Sequence, residues 1–283
     1  MTRRLREHLL NKTDTPLVMG VLNVTPDSFS DAGQHFDPIS AATGAGEMIA
    51  NGAAVIDVGP ESTRPGAKPV APVEQIERAI PVIRAIRAAH QAVAISIDTR
   101  LAPVAAAAIE AGADLVNDTS ALRDDPEMVS VVARSGVCVV LMHRRGRPAE
   151  MQAGGGPHYD QVVQEICDFL RERAAYAEDH GIDRSRIILD PGLGFGKRVE
   201  HNLMILRELS CFVALGYPLL VGASRKRFIG AVLDIDHPQQ RQAGSLACAV
   251  IAALAGAAIV RTHDVRPTVE AVRLCVAVGR AEI

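Results

Sequence analysis

LLVGASRKRF, residues 219–228, is the stretch from which the fold is read. Leu219, Leu220 and Val221 have the pattern of a short buried strand, and Gly222 allows a tight exit. Ser224 is placed to cap a helix whose first turn carries Arg225, Lys226 and Arg227. The amino end of a helix is the positive end of its dipole and disfavours each cation by about 0.3–1 kcal/mol. Three together call for acceptors, supplied by a ligand or by other strands, unless the turn simply faces water.

Outward from this unit the same rhythm recurs. Strand-like runs occupy Leu17–Leu22, Ala54–Val58, Val93–Ile97, Asp114–Val116, Val137–Met142, Ile187–Leu189, Leu219–Val221 and Ala258–Val260. Helix-patterned segments fall between them, among them Pro72–Ala89, Ala102–Ala111, Tyr159–His180, His201–Leu209 and Pro267–Val278. Repeated strand–helix units without a linker imply a parallel sheet, and eight such units close a TIM barrel of the α/β class, (β/α)8. A doubly wound open sheet is the competing arrangement. Residues 1–16 form an N-terminal extension expected to cap the barrel bottom, and 17–283 form the barrel.

With 283 residues, 48% hydrophobic and 22% charged, the chain reads as globular, and a net charge of −3 gives no sign of a nucleic-acid partner. The apolar run Leu246–Val260 is shorter than the roughly 20 residues of a membrane span. It reads as a helix, buried in the fold or against a second subunit, followed by a strand. Cys138, Cys167, Cys211, Cys248 and Cys275 lie far apart without a CxxC pair, as in reduced core residues of a cytoplasmic protein. No His or Cys cluster has transition-metal spacing.

In barrels the carboxyl ends of the strands carry the chemistry. Here the exits read Asn23, Asp57, Asp98, Asn117, His143, Asp190, the Gly222–Lys226 turn, and Arg261 with His263. A single one, such as His143, is readily satisfied by backbone; for the set, convergence on one pocket is the better reading. The first and second loops, after Asn23 and after Asp57, are longer than the roughly two to six residues usual for such connections. Phe29, Thr63 and Arg64 in them suit a lid, and Pro65 and Pro69 restrict its wandering. Arg261 and His263 stand on alternate residues, so both are expected to face one phosphate.

NVTPDSFSD (23–31), ESTRPGA (61–67), SIDT (96–99), LDPGLGFGK (189–197) with His201 and Asn202, GASRK (222–226) and RTHD (261–264) resemble the dihydropteroate synthase family, in that family's order. The resemblance implies a barrel that joins p-aminobenzoate to 6-hydroxymethyl-7,8-dihydropterin diphosphate with magnesium present, releasing diphosphate in folate synthesis. It implies a pterin site of Asp98, Asn117, Asp190 and Lys226. The diphosphate falls to Asn23, Thr63, Arg64, Arg261 and His263, with Asn23 also touching magnesium. The p-aminobenzoate falls to Phe29, Thr63, Pro65, Lys226 and Arg227. The catalytic set is Asp98, Lys226, Asp31 and Arg64, and a homodimer is expected.

These roles suit the side chains. A carboxylate such as Asp190 can accept the paired donors of a pterin edge, Asn117 can donate and accept beside it, and Lys226 can donate to the ring carbonyl. Asp98 can stabilise the positive charge left as diphosphate departs, or cap the helix that follows it. The sequence departs from the family's common pattern at Pro60, Arg144 and Arg227. Arg227 either grips the p-aminobenzoate carboxylate or turns outward. A pterin-dependent methyl-transfer domain, a lapsed barrel and a Schiff-base aldolase using Lys226 are the alternatives.

Overall fold

The computed structural model describes residues 5, 7–9, 15–25, 38–61, 69–146 and 157–281. Its strands are β1 (Leu17–Asn23), β2 (Val55–Gly59), β3 (Ala94–Asp98), β4 (Leu115–Asp118), β5 (Cys138–Met142), β6 (Ile187–Asp190), β7 (Leu220–Val221) and β8 (Ile259–Thr262). All pair in parallel in the order β6-β5-β4-β3-β2-β1-β8-β7. A parallel bridge between Leu189 and Leu219 joins the two ends, so the sheet closes into a (β/α)8 barrel and the doubly wound alternative falls away.

The surrounding helices are α1 (Pro38–Ala50), α2 (Pro72–Ala89), α3 (Ala102–Glu110), α4 (Met128–Ser135), α5 (Val162–Asp179), α6 (Val199–Arg207), α7 (Leu209–Val213), α8 (Arg227–Leu233), α9 (Gln242–Leu254) and α10 (Val265–Gly279). Among the described residues, no helix is long and apolar enough to cross a membrane.

Strand alternation divides the core in two. Ile56, Val58, Ile95, Ile97, Val116, Leu141 and Leu189 belong to the layer between sheet and helices. Their neighbours in sequence, Val55, Ala94, Leu115, Val140, Ile188, Leu220 and Ile259, form a second cluster inside the barrel, which Leu5 and Leu9 of the N-terminal segment complete. His8 joins them there, its Nε2 lying 3.0 Å from the carbonyl of Ala258. Each aliphatic side chain fully buried in these layers stabilises the fold by about 1.5–3 kcal/mol. Following the inward positions toward the carboxyl ends, the apolar floor gives way to Asp57, Ser96 and Asn117, then to Asp98, Asp190 and Arg261.

Three local expectations fail. Ser224 does not cap α8: Lys226 occupies that position and no side chain makes the cap bond. Ser224 instead accepts from the backbone N–H of His263 at 3.1 Å, tying the exit of β7 to that of β8. Only Arg227 of the three cations lies in the helix, because Arg225 adopts a left-handed backbone (φ 60°) that breaks the turn before it. The cysteines are free, but Cys211 is exposed and Cys275 half-buried, since α7 and α10 turn those faces outward.

Candidate active site

The inward side chains near the barrel mouth form one connected network. Arg261 lies within β8 and reaches across the lumen, its Nε 2.7 Å from Asp57 Oδ2 and its Nη2 3.1 Å from Asp98 Oδ2. Asn117 donates to the same Asp57 oxygen at 3.1 Å. Asp57 is fully buried and its second oxygen has no hydrogen-bond partner among the described residues. Two carboxylates thus share one guanidinium, and the lumen keeps an excess of negative charge.

That excess appears in the titration of the group nearest the mouth. Burial first, and then repulsion from Asp57, push Asp98 up to about 7, against the pull of Arg261. Arg261 is held more firmly protonated than a free guanidinium: burial works against the charge, but Asp57 and Asp98 outweigh it.

On the opposite wall stand Asp190 and Lys226. Burial lowers Lys226 to about 8, with Asp190 the largest opposing influence. Asp190 is raised by burial while Lys226 draws it back. Lys226 donates to the carbonyl of Leu193 and sits 4.7 Å from the centre of the Phe195 ring. Asp190 accepts the backbone N–H of Gly192 at 2.7 Å, so one oxygen is oriented by its own loop.

The loop after Asp190 is fixed from beneath. Lys197 is buried, with its Nζ 2.9 Å from His143 Nδ1 and 2.8 and 3.1 Å from the carbonyls of Gly192 and Phe195. Burial, with Lys197 as the next cause, holds His143 well below its ordinary range, so the ring is neutral and can accept. Gly192 has φ 67°, and a Cβ there would stand 1.9 Å from the His143 carbonyl, so no other residue fits.

Among the sequence-predicted residues, Asp98, Asn117, Asp190, Lys226 and Arg261 come together in the lumen. Asn23 ends β1 beside them, its Oδ1 3.4 Å from where a Cβ on Gly59 would stand. The Arg261 guanidinium enters the lumen, and His263 Nδ1, two residues on, is 3.1 Å from Ser224 Oγ at the exit of β7. Arg227 is exposed at the start of α8. Phe29, Asp31, Thr63, Arg64 and Pro65 lie outside the described residues. The base of the second loop is held on both sides by Glu61, which accepts from Val70 N at 2.9 Å and from Arg100 Nη2 at 2.9 Å.

Asp57 reads from the sequence as a strand exit with no role of its own, whereas it lies in the middle of β2 and organises Arg261 and Asn117. An acid on the same parity as Val55, inside the otherwise apolar VIDVG, was the available signal. Lys197 is a second such residue, since a lysine closing a glycine-rich loop gives no sign of burial by itself.

The chain matches the family model described as "Pterin binding enzyme" over residues 19–263. It is 47% identical over 259 residues to the dihydropteroate synthase of Escherichia coli K12, covering 92% of this chain and 90% of that protein. The Mycobacterium leprae dihydropteroate synthase is 44% identical, with 91% of each chain covered. Among solved structures, Xanthomonas albilineans dihydropteroate synthase with 4-aminobenzoic acid superposes with a TM-score of 0.88 at 44% identity, covering 95% of each chain. The same enzyme in complex with 7,8-dihydropteroate gives 0.85 at 41% identity, again over 95% of each chain. With these similarities spread across nearly the whole barrel, the chain belongs to the dihydropteroate synthase family.

Proposed function

We propose that this protein is a transferase that joins the amine of p-aminobenzoate to the exocyclic carbon of 6-hydroxymethyl-7,8-dihydropterin diphosphate, forming 7,8-dihydropteroate and diphosphate. The observation that carries the reading is the convergence of Asp98, Asn117, Asp190, Lys226 and Arg261 inside one barrel mouth. Relatives solved with 4-aminobenzoic acid and with 7,8-dihydropteroate support the two halves of the substrate pair.

In this reading the pterin lies in the lumen with its amino edge on Asp190 and Asn117, and Lys226 donates to its ring carbonyl. The bond from the exocyclic carbon to the diphosphate oxygen breaks first, leaving a cation-like carbon. The residual negative charge of the Asp57–Asp98 pair faces that carbon and stabilises it, an interaction of the kind worth about 3–4 kcal/mol. The arylamine nitrogen then attacks and loses a proton. Arg261 takes the departing anion, moving part of its bonding from the carboxylates to phosphate oxygens, with Thr63, Arg64 and His263 completing the cradle. Phe29, Thr63, Pro65, Lys226 and Arg227 border the p-aminobenzoate, and Asp31 with Arg64 closes the site.

A magnesium ion fits the donor set: Mg²⁺ keeps several waters and takes one or two protein oxygens with phosphates, and Asn23 offers an amide oxygen beside the lumen. When bound, it would neutralise charge on the leaving diphosphate. Among the described residues, no group of three His, Cys, Asp or Glu side chains offers a competing cage.

The assembly proposed is a homodimer. Ile251 and Leu254 on α9 are exposed at 42% and 70%, and Leu274 and Val278 on α10 at 67% and 68%. A second copy covering adjacent helices would bury this surface. We place the protein in the cytoplasm, where its free cysteines stay reduced.

The deciding experiment supplies folded protein with magnesium, the dihydropterin diphosphate and p-aminobenzoate. Dihydropteroate is the expected product. Turnover of a methyl donor, or a borohydride-trapped adduct on Lys226, would assign the barrel to another reaction.

A further inference from the structure

Beside the barrel mouth, a cavity of about 270 Å³ is lined by Arg123, His143, Arg144, Arg145, Gly146, Tyr159, Glu165 and Phe169. Its wall holds three guanidinium groups and one carboxylate, since His143 is held neutral. None of the five residues that meet in the lumen lines it.

The arginines are positioned by the fold. Asp118 accepts from the backbone N–H groups of Ser120 and Leu122 at 2.7 and 2.8 Å, and Arg173 donates to the carbonyl of Ala121 at 2.9 Å. Those bonds hold Ala121 and Leu122 at φ 54° and 62°, a conformation that non-glycine residues rarely adopt. The turn so formed presents Arg123, whose Nε donates to Ser120 O and whose guanidinium lies 4.7 Å from the Phe169 ring centre. Arg145 stacks 4.2 Å from the Tyr159 ring centre, donates to the carbonyl of His158, and pairs with Glu165 at 3.2 Å. Arg123 Nη2 also donates to the carbonyl of Arg144 at 3.2 Å, so Arg123 Nη1 and Arg145 Nε are the in-plane donors without an acceptor among the described residues.

Arg144 supplies the observation that points to a ligand. It is 5% exposed, and among the described residues only its Nη2 has a partner, the Asp124 carboxylate, which Arg100 also binds at 2.5 Å. Its Nε and Nη1 are buried with no acceptor among the described residues. Unpaired buried charged donors are costly, and protein interiors rarely leave them so. Burial and the proximity of Arg144 also lower Arg123, consistent with a local excess of cations.

The geometry points to a second anion site, separate from the proposed diphosphate cradle at Arg261, in which Arg144, Arg123 and Arg145 bind a phosphoryl dianion. Among the lining side chains three guanidiniums face one carboxylate, Glu165, while Asp124, shared by Arg144 and Arg100, offsets part of that charge from behind the wall; a phosphoryl group offers acceptor oxygens to more than one arginine at once, where a monocarboxylate has two. Arg144 Nε and Nη1 then gain the acceptors that the described residues do not offer.

The test uses inorganic phosphate as probe, at matched ionic strength, on the full chain carrying Arg261→Ala so that the lumen cradle is disabled. Calorimetry is expected to show one remaining phosphate site. Adding Arg144→Met should weaken it at least tenfold, and adding Arg145→Gln, at a half-exposed position, should weaken it several-fold without disturbing the core. Crystals soaked in tungstate should show the anomalous peak in the cavity. Arg144→Met alone should turn over the proposed substrates at the parental rate, which keeps this site's failure distinct from that of the proposed function. Phosphate binding unchanged by both substitutions, acetate binding as tightly as phosphate, or tungstate found only beside residue 261 would each overturn the assignment.

Discussion

Arg261 Nε lies 2.7 Å from Asp57 Oδ2, across the lumen and 204 positions away in sequence. Asp57 also holds Asn117, so one buried oxygen sets both the guanidinium and the amide. Asp57→Ala leaves Arg261 with Asp98 alone and frees the Asn117 amide. Breaking a buried pair by removing one partner costs about 3–5 kcal/mol. A urea unfolding curve should shift by about 3 kcal/mol, since Asp98 retains part of the interaction; a shift below about 0.5 kcal/mol, the scale of surface changes, would refute the role.

The pterin and diphosphate ends of the substrate should separate by mutation. Asp190→Ala removes charge-assisted hydrogen bonds worth about 1.5–3 kcal/mol each, so pterin affinity should fall roughly tenfold to hundredfold or more. Arg261→Ala should leave pterin binding near parental and weaken diphosphate by a similar factor. Titrating the two ligands separately checks the division, and equal pterin affinity in Asp190→Ala contradicts it.

The two titrating walls set a narrow pH window. In the proposed reaction Asp98 acts ionised and Lys226 protonated, with values of about 7 and about 8 in the free protein. A plot of kcat/KM against pH should therefore fall on the acid side near 7 and on the alkaline side near 8. Asp98→Asn should remove the acid limb along with most of the rate.

Asp98 has a matching signature in stability. Its folded value is raised above the ordinary 3.8, so its favourable contribution is full below 3.8 and is lost as pH rises through about 7. The melting temperature of Asp98→Asn relative to the parent should accordingly be higher at pH 8 than at pH 6. Calorimetric scans at the two values decide the sign.

Lys197 should matter to the fold more than to the chemistry. Lys197→Met leaves the carbonyls of Gly192 and Phe195 and the His143 ring without their shared donor. Each unsatisfied buried acceptor costs about 1–3 kcal/mol. Denaturant unfolding should register that loss, and pterin affinity should fall with it because the Asp190 loop loosens; parental values of both would show that the lysine is dispensable.

Much of this was legible in the sequence because strand periodicity and chemistry coincide. An apolar triplet such as Leu219–Val221 followed by a polar exit is visible without coordinates, and helix α2 falls on the residues its pattern predicts. Parity was the information left unused: Val55, Asp57 and Gly59 face one side of β2, so an acid there must enter the lumen, and counting it as an exit hid its partners. Ser224 misled for a different reason. A cap is a local preference of about 1 kcal/mol, and the contact between the β7 and β8 exits outweighed it. The burial of Lys197 and Arg144 depends on how distant loops meet, which no local pattern encodes.

Strand β7 spans two residues, and beyond it the barrel is stitched to β6 by the bridge at Leu189 and Leu219 and the bond from Leu189 N to Pro218 O. Asp190 stands just past one side of that seam and Lys226 follows the other. When the ring breathes, it should part here before anywhere else along its circumference, carrying apart Asp190 and Lys226, the pair proposed to hold the pterin. Amide exchange at Leu189 faster than at Ile56 or Ile95 would locate the opening, and would place the entry of a flat ring at the thinnest join in the cylinder.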